Sequence, residues 1–237
     1  MKIEDFGFII FIKKYEENSL LLKVLSKENG FISGYTKHIN KNRNSFQIGS
    51  FVKFNWSAKN VSQLGSINIE VIKSNLSCFM DSRFHLHIME SITLMINDVL
   101  YERYLENDLY YRLENILCLI SKCEKKEIIM KEYLLFENSL LNVVGSGIIF
   151  DNAVSFDELY YISPKTGLAV SKPKGDPFRD KLLLFPSIFK KDFIEKNDIL
   201  NCFNVMDFFF KKYFNDSNYS QKYKNISLSR QNVINNI

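Results

Sequence analysis

From residue 52 to residue 58 the side chains alternate without a break: Val52, Phe54, Trp56 and Ala58 interleave with Lys53, Asn55 and Ser57. A period of two is the signature of a strand with one face in a core and the other in solvent. It turns Lys53 away from the apolar set. Residues 66–72 repeat the pattern, with Ile67, Ile69 and Val71 against Asn68 and Glu70. Residues 6–13 and 19–26 are further apolar segments, bounded by the polar stretch 14–18. Asn29-Gly30 is a hairpin turn signal, because glycine adopts positive φ without steric cost, and residues 30–37 resume an extended pattern. Five short strands with one long polar loop, 39–49, predict a small antiparallel barrel of the oligonucleotide-binding (OB) type.

Beyond Lys73 the period changes. Phe84, Ile88, Ile92, Met95 and Val99 follow helical spacing, and neither Pro nor Gly occurs from Lys73 to Val144. Two more helices are expected over 109–122 and 127–144, the second stopped by Gly145. Residues 145–186 hold all four prolines and read as irregular, with a short hairpin over 159–171 that turns through Pro164-Lys165-Thr166-Gly167. Residues 198–214 return to helix with Asp198 as the expected N-cap; 215–225 read as loose and 227–236 as a last helix. The expected class is therefore α+β: an OB barrel over 1–77, then a mainly helical domain over 78–237.

Composition narrows the function. At 46% hydrophobic and 14% aromatic residues the chain is too apolar for a solvated coil. Its unbroken apolar runs, such as 8–12, fall far short of the roughly 18 residues of a membrane span. Lys2, Glu4 and Asp5 at the start argue against a secretory leader, so a cytoplasmic location is expected. The net charge of +4 is unevenly placed. Residues 1–77 carry 11 basic against 6 acidic side chains, and residues 78–237 carry 20 against 21. No carboxylate at all lies between Asn29 and Ile69. Lys37, Lys41, Arg43, Lys53 and Lys59 lie in that stretch with His38, and Lys13 and Lys14 stand where the first strand meets the polar stretch. These seven cations are the candidate contacts to a polyanion, while the bland reading is a solvated basic face. Phe31, Tyr35 and Phe46 are the candidate aromatic platforms for bases, each otherwise a core residue.

Catalytic and metal-binding chemistry is not legible. The chain has no phosphate-cradling glycine loop, no HExxH and no GxSxG, and Gly145-Ser146-Gly147 reads as a helix stop. Ser171–Lys174 and Ser187–Lys190 match SxxK, which a lysine-rich chain produces by chance. His85 and His87 point about 200° apart on a helix and cannot share a metal there. Cys78, Cys118, Cys123 and Cys202 form no CxxC pair, so buried thiols are expected, with neither disulfide nor zinc. A nuclease would need clustered carboxylates inside the basic region, and none is there. The helix over 198–214 carries three consecutive phenylalanines, Phe208 to Phe210. It is either buried on several sides, or it offers a partner an apolar slot at Phe208 edged by Lys211 and Lys212.

Taken in order, these segments resemble a family: the bacterial DNA repair and recombination mediators called RecO. The match follows the opening strand at 7–13, the segment 19–25, Lys27-Glu28-Asn29-Gly30 and the basic loop with Lys41 and Arg43. It continues through Gly49 entering 51–56 and Gln63-Leu64-Gly65 before the last strand. A second match, closest to the alphaproteobacterial branch, runs from Leu159-Tyr160-Tyr161-Ile162-Ser163-Pro164-Lys165-Thr166-Gly167 through Ala169-Val170-Ser171 to Pro177-Phe178-Arg179-Asp180. The resemblance implies an OB domain, a helical domain and a non-enzymatic, nucleoid-associated role. That role is to bind single- and double-stranded DNA, anneal complementary strands and help load RecA onto strands coated by single-strand-binding protein. The implied partners are RecR, the acidic tail of single-strand-binding protein and, in many bacteria, RecF. Some relatives bind zinc through cysteines in the segment equivalent to 145–171; no cysteine lies there in this chain, so neither metal nor cofactor is carried over. The competing reading is a protein-interaction module, or a generic nucleic-acid binder without mediator activity.

Overall fold

The computed structural model describes residues 1–37, 46–60, 63–150, 155–216 and 220–237. Its first five strands are β1 (Lys2–Glu16), β2 (Ser19–Ser26), β3 (Gly30–Lys37), β4 (Phe51–Ser57) and β5 (Gly65–Lys73). They close into a barrel in the order β1-β2-β3-β5-β4, the OB architecture that the alternation predicts. The odd member is β1, expected over 6–13 but starting at Lys2 and ending at Glu16. Its first half pairs with β4 from Lys2 to Phe8, and its second half pairs with β2 from Gly7 to Glu16. One long strand bent across two neighbours is what closes the ring.

The inward set is the one the period of two selects. Ile9, Leu22, Val24, Val52, Phe54 and Ile67 are fully buried, and Trp56 is nearly so. The barrel's only parallel join among the described residues is β3 with β5, at Gly34 opposite Gly65. A Cβ on Gly65 would come within 2.2 Å of the Trp56 ring, so a side chain there would eject the indole from the seam it fills. Trp56 Nε1 donates to the Ser33 carbonyl at 2.9 Å, which satisfies the indole as it plugs that seam. The predicted turn glycine, Gly30, has φ +72°. Asp5 fastens this turn to β1: its carboxylate accepts from Phe6 N and Ser26 Oγ, and at 2.9 Å from both Glu28 N and Asn29 Nδ2. Burial pushes the Asp5 carboxyl up, but these four donors outweigh it and hold it below the usual carboxylate value.

Contacts divide the chain into two compact units, Met1–Cys123 and Glu124–Asn235. The change of period near residue 77 marks a change of secondary structure, and it falls inside the short helix α1 (Leu76–Met80). Helices α2 (Arg83–Val99) and α3 (Asn107–Ser121) belong to the barrel's unit. All five apolar positions predicted for α2 are buried. Ser82 caps α2 by accepting from His85 N. Phe8 of β1 meets Tyr110 of α3 with ring centroids 5.4 Å apart, so these helices cover the end of the barrel nearest Phe8 and Gly30.

The second unit packs α4 (Lys126–Val143) against α6 (Lys196–Asp216) and α7 (Ser220–Ile234). It also holds the short helix α5 (Lys172–Gly175) and a small sheet of β6 (Leu159–Ile162), β7 (Ala169–Ser171) and β8 (Leu183–Leu184), in the order β7-β6-β8. The predicted hairpin is β6–β7; β8, two residues long, has no period to read. Asp198 is not the N-cap of its helix. It lies three residues in and reaches back to accept from Glu195 N at 3.0 Å, the reverse half of a capping box. Helix α7 begins at Ser220 rather than 227, while residues 217–219 lie outside the described set. Tyr223 accounts for the roughly two extra turns, because its hydroxyl donates to Asp207 at 3.2 Å and its ring lies against Phe214.

A buried ion pair ties the three long helices of this unit together. Arg230 of α7 makes two bonds to Glu137 of α4, Nε–Oε1 at 2.7 Å and Nη2–Oε2 at 2.9 Å, and both side chains are fully buried. Arg230 Nη1 also reaches Asp207 of α6 at 2.7 Å. Burial works against the charge on Arg230, but Glu137 more than restores it, and the guanidinium is held above its ordinary value.

Candidate nucleic-acid interface

Strand register sorts the predicted cations. Lys13 of β1 is opposite Leu21 of β2, and Leu21 is opposite Tyr35 of β3. Leu20, Leu22 and Ile32 face the core, so the row Lys13–Leu21–Tyr35 projects from the outer wall. Lys37 lies two residues along β3 on the same face, its Nζ 6.0 Å from the centre of the Tyr35 ring. Tyr15 stacks on Tyr35 across the strands, with centroids 6.1 Å apart and planes inclined by 26°. Lys14 is exposed opposite the inward position Leu20, at the open rim. From Tyr35 a shallow groove of about 590 Å³ continues past Met1, Lys2, Lys59 and Gln63. The outer wall of strands β1 to β3 thus carries Lys13 and Lys37 beside the Tyr15–Tyr35 pair, with Lys14 at the rim and Lys59, which follows β4, lining the groove that Tyr35 shares.

Lys53 does not join them. In a ring ordered β1-β2-β3-β5-β4, the wall facing β4 is β2–β3, so Lys53 points out of the far side. There its Nζ lies 2.6 Å from Glu4, which raises its pKa, and Glu70 stands opposite it on β5. A lysine already paired with a carboxylate must give up that partner before it can neutralise a phosphate. Lys41 and Arg43 lie outside the described residues. Phe31 shares the outer face of β3 but is only 1% exposed, so it is a core residue rather than a platform. Its carbonyl accepts from Arg103 N at 2.8 Å, and Lys23 Nζ lies 5.3 Å from its ring centre. Phe46 packs half-buried against the barrel core. Of the three aromatic candidates only Tyr35 presents a ring beside the cations.

Two features of this face are invisible in the sequence. Arg103 follows α2, far from the basic third, yet its guanidinium lies 4.3 Å from the centre of the Trp56 ring and its Nη1 3.8 Å from Met1 Sδ. Its backbone is left-handed, with φ +62°, and no carboxylate pairs with it among the described residues. It adds a cation beside the groove that holds Met1. The other feature opposes binding. Glu16, Glu17 and Lys37 line a neighbouring hollow of about 520 Å³, so the carboxylate-free stretch has two carboxylates folded against its end.

The second unit holds the predicted partner residues. Phe209 and Phe210 are buried, which accounts for most of the aromatic run as core, whereas Phe208 is 39% exposed. Lys211 is exposed. Lys212 Nζ donates to the Pro164 carbonyl at 3.0 Å and the Lys165 carbonyl at 2.6 Å, clamping α6 to the β6–β7 turn. The same unit has an apolar hollow of about 500 Å³ around Ile128 and the 81%-exposed Phe193. Its rim carries Glu124, Glu127, Asp192 and Glu195 against Lys125, Lys131 and Lys196, a poor match to an acidic peptide. The SxxK pair Ser187–Lys190 is not set up as nucleophile and base: Ser187 Oγ donates to Asp198, and Lys190 Nζ donates to the Asp157 and Leu159 carbonyls. Among the described residues no three His, Cys, Asp or Glu side chains converge as for a metal ion, and no helix is long and apolar enough to cross a membrane.

Comparison with known proteins agrees with this architecture. The family model "Recombination protein O N terminal" matches residues 1–75, which span the whole barrel. The chain is 32% identical over 224 residues to the DNA repair protein RecO of Rickettsia canadensis (strain McKiel), covering 92% of this chain and 91% of that one. It is 30% identical to the protein of the same name from Ehrlichia chaffeensis, covering 90% and 91%, and 32% identical to that of Orientia tsutsugamushi (strain Boryong), covering 90% of each. With a barrel matched from end to end and full-length relatives at this identity, the chain belongs to the recombination protein O (RecO) family.

Proposed function

We propose that this protein is a recombination mediator in DNA repair. It binds single- and double-stranded DNA on the outer wall of β1–β3, anneals complementary strands and, with RecR, helps RecA displace single-strand-binding protein. The observation that supports this best is the grouping of Lys37 at the Tyr35 ring, Lys13 in its row and Lys59 in the groove it lines, none of them ion-paired with a carboxylate among the described residues. Exposed, unpaired lysines release condensed counterions when they meet phosphates, which is the main source of sequence-independent affinity. Two strands held on one neutralised surface approach each other with less repulsion, so annealing needs no catalytic residue. On this reading Phe208 and Lys211 receive the acidic, apolar-ended tail of single-strand-binding protein, with a RecF-type protein as a further partner. The work is done in the cytoplasm, at the nucleoid.

Filter binding of single-stranded and duplex oligonucleotides, with an annealing assay on complementary strands, tests the DNA half. Co-purification with RecR and single-strand-binding protein tests the mediator half. A generic nucleic-acid binder passes the first and fails the second.

A further inference from the structure

We propose that Tyr15 and Tyr35 form a base-stacking ledge, and that this ledge makes the barrel face prefer single-stranded to double-stranded DNA. The inference rests on the DNA-binding reading above. Tyr15 is 49% exposed and Tyr35 half-buried, and neither hydroxyl has a hydrogen-bond partner among the described residues. Tyr161 and Tyr223, by contrast, each donate to an aspartate. A stacked aromatic pair contributes to stability on its own account. That does not explain why the pair stands at the centre of the cation cluster, with Lys13 in the row of Tyr35 and Lys37 over its ring. Tyrosine loses little side-chain entropy when a flat partner lands on it. A duplex keeps its base faces stacked inward and offers this wall only phosphates. A single strand offers phosphates to the lysines and ring faces to the tyrosines. The lysines therefore supply affinity for both forms, and the ledge supplies the difference between them.

The test uses the full chain, an oligo(dT) and a duplex of equal length, each titrated at several salt concentrations. Replacing both residues (Tyr15→Leu with Tyr35→Leu) should weaken single-strand binding by about 5-fold or more per tyrosine. Duplex affinity and the salt slope of both ligands should stay as in the parent. Tyr15→Phe with Tyr35→Phe keeps both ring faces and should retain the preference. Unchanged single-strand binding in the leucine variant, or equal loss for both ligands, overturns the ledge while salt-dependent DNA binding by the parent stands. A parent that binds neither ligand overturns the ledge and the DNA-binding reading together. Should the leucine variant misfold, photo-crosslinking of the unmodified protein to an oligonucleotide carrying 5-iodouracil decides. Adducts on Tyr15 or Tyr35 support the ledge, and adducts confined to other walls overturn it.

Discussion

Replacing Lys13, Lys37 and Lys59 together by alanine removes three exposed cations from the wall around Tyr35 and should flatten the salt dependence of DNA binding by a calculable amount. Each phosphate neutralised on a single strand contributes about 0.7 to the slope of log K against log salt, so three contribute about 2.1. Between 50 and 200 mM salt the parent should therefore lose roughly 18-fold more affinity than the triple variant does. Lys53→Ala is the internal control. Its ammonium is paired with Glu4 at 2.6 Å on the opposite wall, so its removal should leave the slope unchanged. Fluorescence anisotropy of a labelled oligonucleotide at five salt concentrations measures both. A triple variant with the parent's slope, or a Lys53 variant that loses as much as the triple one, would refute this placement of the interface.

Reversing the two carboxylates beside Lys37, with Glu16→Lys and Glu17→Lys, should tighten binding and steepen the slope, which the same titration reads; weaker binding would show that no strand passes this end. Asp5→Ala strands the donors of Ser26, Glu28 and Asn29 and should cost about 1–3 kcal/mol in urea unfolding. Because its carboxyl is held below the unfolded value of about 4, the stability Asp5 contributes is present above that pH and is lost as pH falls through the folded value. Stability of the Asp5→Asn variant should accordingly vary less with pH below about 4 than that of the parent. Arg230→Ala leaves Glu137 buried and unpaired and should destabilise the second unit by about 3–5 kcal/mol, whereas Arg230→Met with Glu137→Leu should recover much of that loss. A double variant as unstable as the single one, measured by denaturation, would contradict this account of the pair. Phe208→Ala should weaken binding of an acidic, apolar-ended peptide more than Lys211→Ala does, since an apolar anchor carries most affinity and a rim charge mainly the encounter rate. Equal titrations for parent and both variants would remove the peptide site from α6.

The barrel and its inward face were legible because their determinant is local. Alternation along Val52–Phe54–Trp56, the turn at Asn29-Gly30 and the switch to helical spacing at Phe84 are each set within a few residues. Burial of every second side chain holds whatever strand comes to lie alongside. Charge pairing is not local in this sense. Lys53 and Lys13 read alike in the chain, but ring closure puts one beside Glu4 and the other in a row with Tyr35. The same long-range closure covers Phe31, folds Glu16 and Glu17 against Lys37, and brings Arg103 onto Trp56 from beyond the barrel. Asp198 shows the limit at short range, since a capping residue and one three positions inside the helix differ only by where the preceding segment bends. Which side chains enter the core, and where the positive charge is concentrated, can be read along the chain alone. Which of those charges are left unpaired cannot be read that way, because the partner of a charge is chosen by strand order and register rather than by its neighbours in the chain.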